Sequence, residues 1–571
     1  MSRNKWSHLL GLVIILAVLI GCTKTETEVV KETVVVEVEK VVKETVQETI
    51  IVEGTPEVIE QVVEVEKVVT ATPEPAKTGG TFRIAIRSDV TDFDPGRTTT
   101  IDFQTLKMQG IWNTLYTWDK DLNMVPDLAE SWEVVDPQTF IFHIRQGVKF
   151  HTGRELTAED VKFTFEWMIK EGKVYARELA RVVGAAEASE DKTADVTGVK
   201  VLDDYTVEVN LTEPWAPWLG SIYVIPIIDK ETVDEISQKP IGTGPFMFKE
   251  WIPNDRIVLE RFEDYWEEGK PYLDRVELRV IPNVATAIAN LRAGEIDAIL
   301  TIDPADVGSF AGSRDFLVYN LPSTDLIMIH EVIDHNPPLQ DVHARRALAH
   351  CLDKDTINRA VFFGIGQQQW SPIPSSFWAY DPAVEELGYE FSVEKAKAEL
   401  AQSATPDGFD ITYTTGVGSQ TGQDVGAIWK SCLDQIGVNL EIEVLDGASW
   451  LEKWFSYDYA LLFNAGPLPP EPHRGFEVFY TPNIHGSARY GQVAWQNDEL
   501  WDLMTKAATT VDQAERQEYY TELQRKTIEE VGPIIYLQQN PILSVASAKV
   551  QGYDSFNALR LLKWADLRLD N

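Results

Sequence analysis

The eight letters VVEVEKVV stand at residues 35–42 and again at 62–69, inside a 56-residue stretch, 23–78, that holds no aromatic side chain. Its apolar residues are almost all valine, interleaved with 13 Glu and 6 Lys. Such a chain cannot bury enough surface to offset the entropy of ordering it. Any core must therefore be built from Gly79 onward. The valines keep no sustained helical or heptad spacing, which argues against a coiled coil. VEVEK alternates as a strand does, but a lone strand has no partner to stabilise it. The run closes on TATPEPAKTGG, where proline stiffens and glycine loosens the chain. We read 22–78 as a Val/Glu/Lys tether without stable tertiary contacts, able to reach ~190 Å when fully extended.

What precedes the tether gives it an anchor. Arg3 and Lys5 are followed by the apolar run Leu9–Ile20 and then Gly21-Cys22. As a helix that run spans roughly 18 Å, short of the ~30 Å hydrocarbon core, so 1–21 reads as a secretory signal peptide and not as a membrane span. Leu19-Ile20-Gly21-Cys22 resembles the bacterial lipobox. The resemblance implies that Cys22 receives a lipid and that the rest of the chain lies outside the cytoplasm, bound to the membrane.

From Gly79 strands alternate with capped helices, which points to a mixed α/β body of several lobes. GGTFRIAIRS alternates as a strand, and Phe140, Phe142 and Ile144 alternate against Thr139, His143 and Arg145 in another. Thr157 followed by Asp160 is a capping-box variant at the head of a helix. Gly294 stops one helix, Asp341 caps another, and Gly532-Pro533 closes a third. The paired glycines of GTGPF imply a tight turn with backbone close by. The formal net charge of −39 repels phosphate backbones and excludes nucleic acid as a partner. The three cysteines are too few for a disulfide framework. Cys351 and Cys432 lie on apolar helical stretches and read as buried free thiols, with a mutual disulfide as the alternative.

Catalytic motifs are missing. The sequence contains neither a GxxxxGK[ST] phosphate loop nor a GxSxG elbow. GVGSQTG, at 416–422, misses the dinucleotide spacing by one and reads as a strand–helix turn. In HEVIDHNPP the histidines His330 and His335 are five apart and two prolines follow, so no helix face brings them together. We read it as structural, with a metal contact through Glu331 or Asp334 as the weaker alternative. The expectation is a protein with no enzymatic activity and no cofactor.

Four ordered blocks make the reading specific. They are GGTFRIAIRSDVTDFDPG; YTWDKDLNMVPDLAESWEVVDPQTFIFHIRQGVKFHTGRELTAEDVKFTFEWM; PIGTGPFMFKEWIPNDRIVLERFEDYWEEGKPYLDRVELRVI with LRAGEIDAI; and PPLQDVHARRALAHCLDK through FSVEKAKAEL. Together they resemble the bacterial solute-binding proteins of family 5, the oligopeptide, dipeptide and nickel receptors of ABC importers. The resemblance spans 79 to about 555. It implies a two-lobed, periplasmic-binding-protein-like α/β fold of class II with an extra subdomain. Lobe I would use 79–111, 237–325 and 536–571, the extra subdomain 112–236, and lobe II 326–535. Ligand would bind between the lobes of a monomer, and the closed form would dock on the importer's permease.

By position the resemblance places Thr99, Ile101, Tyr175 and Trp370 near the ligand, with Asn464 and Gly466 as backbone-contact positions. Peptide-binding members hold the ligand's α-ammonium on an aspartate just before an acid–proline step. Here Glu471-Pro472 supplies the step, but the aspartate's place falls on Leu468, and no Asp lies between Tyr459 and Tyr480. His473 and Arg474 add basic character instead. The leading expectation is a peptide receptor. The alternative is the same role for an oligosaccharide or cationic metabolite, which the 17 tryptophans would suit. An extracytoplasmic hydrolase or metalloprotein is the remote third.

Overall fold

The structure is a computed structural model that describes residues 42–52, 55–65, 78–97, 104–105, 107–333, 336–468, 470–480, 497–532 and 534–570. The chain divides into two compact units, Met1–Pro75 and Ala76–Asn571. In the first, strand Val42–Val52 pairs antiparallel with Thr55–Val65 in unbroken register, from Val42 opposite Val65 to Val52 opposite Thr55. The pairing is local to this unit. A lone strand lacks a partner, and here the segment after Gly54 supplies the ladder that the segment before it needs.

The second unit is organised by two large sheets. The first has seven strands, in the order Phe246–Ile252, Arg256–Arg261, Arg275–Val280, Thr81–Ile86, Ala298–Ile299, Ile542–Ser547 and Phe316–Leu321. The second has six: Gln367–Gln368, Ile534–Gln539, Asp325–Glu331, Leu461–Pro467, Asp410–Gly416 and Asn439–Leu445. In the first sheet Thr81–Ile86 runs parallel to both its neighbours, and in the second Asp410–Gly416 does. A four-stranded antiparallel sheet spans residues 129–210 and contains Thr139–Ile144, whose Phe140, Phe142 and Ile144 are buried as their alternation requires.

The local signals hold where they can be followed. Thr157 and Asp160 form a reciprocal capping box on helix Ala158–Lys170. Gly294, at φ 74°, ends Val284–Ala293, and the Asp341 carboxylate accepts from the His343 N–H at the head of Val342–His350. In GTGPF, a Cβ on Gly242 would run into the Ile111 carbonyl and one on Gly244 into that of Gly110, so the close approach demands glycine.

Two short segments carry the chain between the large sheets. Phe316–Leu321 belongs to the first and Asp325–Glu331 to the second, so Pro322-Ser323-Thr324 is one crossing. Ile534–Gln539 belongs to the second and Ile542–Ser547 to the first, so Asn540-Pro541 is the other. The return expected at 536 is thereby corrected to 540–541. IIYLQQ is an unbroken buried strand that pairs with Asp325–Glu331, and the break waits for the proline, which has no N–H to give a ladder. The crossings are tied together where the Asn540 N–H donates to the Asp325 carbonyl at 2.8 Å.

Cys351 and Cys432 form a disulfide, which corrects the free-thiol reading. It joins the end of Val342–His350 to Gln420–Leu433 inside the second lobe's core. Two apolar helices packed on one sheet face bring their buried cysteines together, and no property of either stretch alone reveals that. HEVIDH is also placed: His330 and Glu331 end a strand, so the helix a zincin needs is absent there, while Asp334 and His335 lie outside the described residues. Among the described residues no group of His, Cys, Asp and Glu could hold a metal, and no helix is long and apolar enough to cross a membrane.

Candidate functional site

The two crossings make a hinge, and the space beside them is where two lobes can enclose something. The carboxyl end of Leu461–Pro467 arrives there, with Asn464 opposite Met328 and Gly466 opposite Leu326. A Cβ on Gly466 would meet nothing within 4 Å, so open space lies over this backbone. The Asn464 amide lies 3.2 Å from His330 Nε2, and burial holds that imidazole neutral by lowering its pKa to about 3. On the hinge itself Asp325, 7% exposed, is bound by the Arg560 guanidinium at 2.8 Å.

Away from the hinge the subdomain and lobe II close on each other. Trp218 and Tyr175 share one core with Leu468, Phe476 and Tyr520. Arg181 lies 3.8 Å above the Trp215 ring and donates to Glu477 at 3.0 Å, the edge of His473 meets Trp215 at 4.8 Å, and the Ala216 N–H donates to the Ala508 carbonyl at 2.7 Å. Burial alone would raise the Glu477 carboxyl, but Arg474 and Arg181 outweigh it and bring its pKa down to about 2. Beneath them Arg516 holds Glu471 at 2.5 Å, and Gly220 leaves room for that carboxylate, since a Cβ there would come within 2.8 Å of it.

Tyr175 is brought to the same region. Its hydroxyl accepts from Gln104 and, at 3.1 Å, from the Lys107 ammonium, which also donates to the Pro95 carbonyl. Burial lowers the pKa of Lys107, and Tyr175 opposes that shift. Tyr223 lies between: burial raises its pKa, and it feels the charges of Tyr175, Glu178 and Asp325. Tyr175 thus packs in the core shared by the subdomain and lobe II, His473 and Arg474 lie at the contact with Trp215 and Glu477, and Asn464 and Gly466 lie on the strand beside the hinge. Trp370 lies apart from these. Its indole packs on Gly388 with the Lys354 ammonium 3.3 Å from the ring centroid, among lobe II side chains alone. Thr99, Ile101 and Cys22 lie outside the described residues.

The basic character expected of His473 is corrected. Burial, reinforced by Arg516, takes its pKa to about 3, so it is a neutral wall, and Arg474 pairs with Glu477 at 2.7 Å. Leu468, in the place of the expected aspartate, is buried in the shared core, and its N–H donates to the Thr324 carbonyl at 3.0 Å. Asp325, Arg560, Arg181 and Glu477 were not found by sequence reasoning. The i, i+3 opposite charges of Arg474 and Glu477 were the one local signal.

Two crossings, two sheets and a seam between them define a hinged binding protein. Residues 123–487 match the family model described as bacterial extracellular solute-binding proteins, family 5 Middle, and the chain belongs to that family. It is 28% identical over 447 residues to the oligopeptide-binding protein AppA of Bacillus subtilis, covering 74% of this chain and 80% of the relative. It is 30% identical over 325 residues to heme-binding protein A of Haemophilus influenzae, covering 53% and 58%. The fold is that of HbpA2 from Haemophilus parasuis, with a TM-score of 0.77 at 24% identity, covering 86% of this chain and all of that one.

Proposed function

We propose that this chain is the extracytoplasmic receptor of an ABC importer, held to the membrane through a lipidated Cys22, and that it closes on a peptide between its lobes and hands it to the permease. The observation that carries the reading is the pair of crossings at 322–324 and 540–541 beside the open backbone of Gly466. This arrangement lets one lobe swing against the other around a fixed floor, and a ligand shifts that equilibrium by its preference for the closed form. The choice of peptide rests on relatives named for oligopeptides and dipeptides, among them the dipeptide-binding protein of Escherichia coli. The Cys351–Cys432 disulfide supports an oxidising, extracytoplasmic location.

A specific observation favours a second reading. Buried Leu468 in the aspartate's place removes the anchor for a free α-ammonium, so a ligand without one, an oligosaccharide or another metabolite, fits the same seam. Thermal-shift screening of the 79–571 fragment separates the two. Stabilisation by di- to pentapeptide pools supports the peptide receptor, and stabilisation by oligosaccharides alone supports the second reading. No shift with either class counts against both.

A further inference from the structure

A cavity of about 430 Å³ opens between the hairpin Tyr116–Trp118/Met124–Pro126 and the C-terminal segment 552–566. Its volume lies in the range of small-molecule sites. It is distinct from the seam, for none of the residues lining it comes from lobe II. We propose that it is a second binding site, and that it takes a small organic cation carrying an acceptor oxygen, the chemistry of an amino alcohol or a betaine.

Three observations carry the assignment. Two indoles, Trp118 and Trp266, form apolar walls, and Trp266 already holds one cation, the Arg145 guanidinium, 4.6 Å from its ring centroid. Tryptophan faces are the best side-chain partners for an organic cation. The lining is also acidic, with five carboxylates against two lysines. Lys563 lies between Glu267 and Asp566, and Lys270 takes Asp566 at 2.5 Å, whereas exposed Asp554 is in no ion pair among the described residues and only its longer-range charge reaches Lys120. Burial raises the Asp127 carboxyl to about 6 in spite of the Thr114, Gln109 and Asn113 donors around it, so it too gains from a nearby positive charge. Finally, Trp118 is 8% exposed, and neither its indole N–H nor that of Trp266 has a hydrogen-bond partner. A buried N–H without an acceptor is costly, and a ligand oxygen would supply one.

The test uses the full chain, with choline and glycine betaine as probes and glucose as the neutral control. Calorimetry should show one choline site, and hydrogen exchange should show protection at 117–127 and 552–566. Asp554→Lys, which touches no buried contact, should weaken choline about tenfold, a change of 1.4 kcal/mol. Trp266→Ala should abolish binding, while Arg181→Glu, on the seam, should leave it unchanged. The proposal is overturned by no heat with either cation at about 10 mM, well above a 1 mM dissociation constant. It is equally overturned by protection confined to lobe II, by glucose binding as well as choline, or by an Asp554→Lys protein that binds like the parent.

Discussion

The lobes touch in two places of opposite character. At the hinge, Arg560 holds Asp325 beside two continuous peptide crossings, and Asn540 is bonded back to Asp325. At the far side no chain crosses. The contact combines the shared core of Trp218, Leu468, Phe476 and Tyr520 with Arg181 on Glu477, Trp215 on His473, and a backbone bond from Ala216 to Ala508. On the proposed hinge motion, opening would preserve the first contact and break the second. The hinge pair therefore belongs to the stability of the fold, whereas the far-side pair belongs to the equilibrium between open and closed forms. That equilibrium is what a ligand acts on.

The largest expected effect undercuts the far side from below. Glu471→Ala leaves Arg516 buried without its partner and should destabilise the protein by about 3–5 kcal/mol in a urea titration. Loss confined to ligand affinity, with stability intact, would contradict this assignment. Opening the disulfide softens the lobe that carries Glu471 and Glu477 without touching the hinge. Cys351→Ser with Cys432→Ser should lower stability by about 4 kcal/mol, the chain-entropy value for so long a loop, and dithiothreitol should lower the Tm of the parent in the same direction.

Arg181→Ala separates the two contacts directly. It should weaken ligand binding several-fold, the scale of about 1 kcal/mol for a partly exposed charged pair, and enlarge the radius of gyration in solution scattering while the Tm stays within a degree or two. Acid should act on the same side. Glu477 is depressed to about 2 where Arg474 and Arg181 face it. Its contribution is complete above the ordinary carboxylate range and is lost as pH falls from about 4.5 toward 2, so affinity should decline over that window.

A last effect lies away from both contacts and is read only as a slope against pH. Glu331 is buried with neither oxygen hydrogen-bonded, and burial, opposed by Arg345, raises it to about 8. A raised carboxyl binds its proton more tightly in the folded state, so its contribution is full at low pH and is lost as pH rises from about 4.5 to 8. Glu331→Gln should flatten that slope in denaturation curves measured at pH 5, 6.5 and 8.

Much of the frame was legible because it is written in local chemistry. Thr157 with Asp160, Asp341 and Gly294 mark helix ends by capping rules that need only neighbours in sequence, and Phe140, Phe142 and Ile144 announce a half-buried strand. The site was less legible. Tyr175, Asn464 and Gly466 came from resemblance, and their role toward a ligand is an expectation that rests on it. Asp325 and Arg560, 235 positions apart, meet only because two crossings lie side by side. His473 looks basic as a letter and becomes neutral through burial. The disulfide stood only as the alternative to free thiols for a similar reason, since the partners are 81 residues apart on helices whose packing no local pattern encodes.

The paired strands of the tether bear on how far the receptor can travel. Residues 42–65, drawn out, would span roughly 80 Å, yet as a hairpin they begin and end about one strand spacing, ~5 Å, apart. On the proposed reading of 22–78 as a tether, the segment would be a compliant element with two lengths, short when zipped and longer once a modest pull along the chain unzips it.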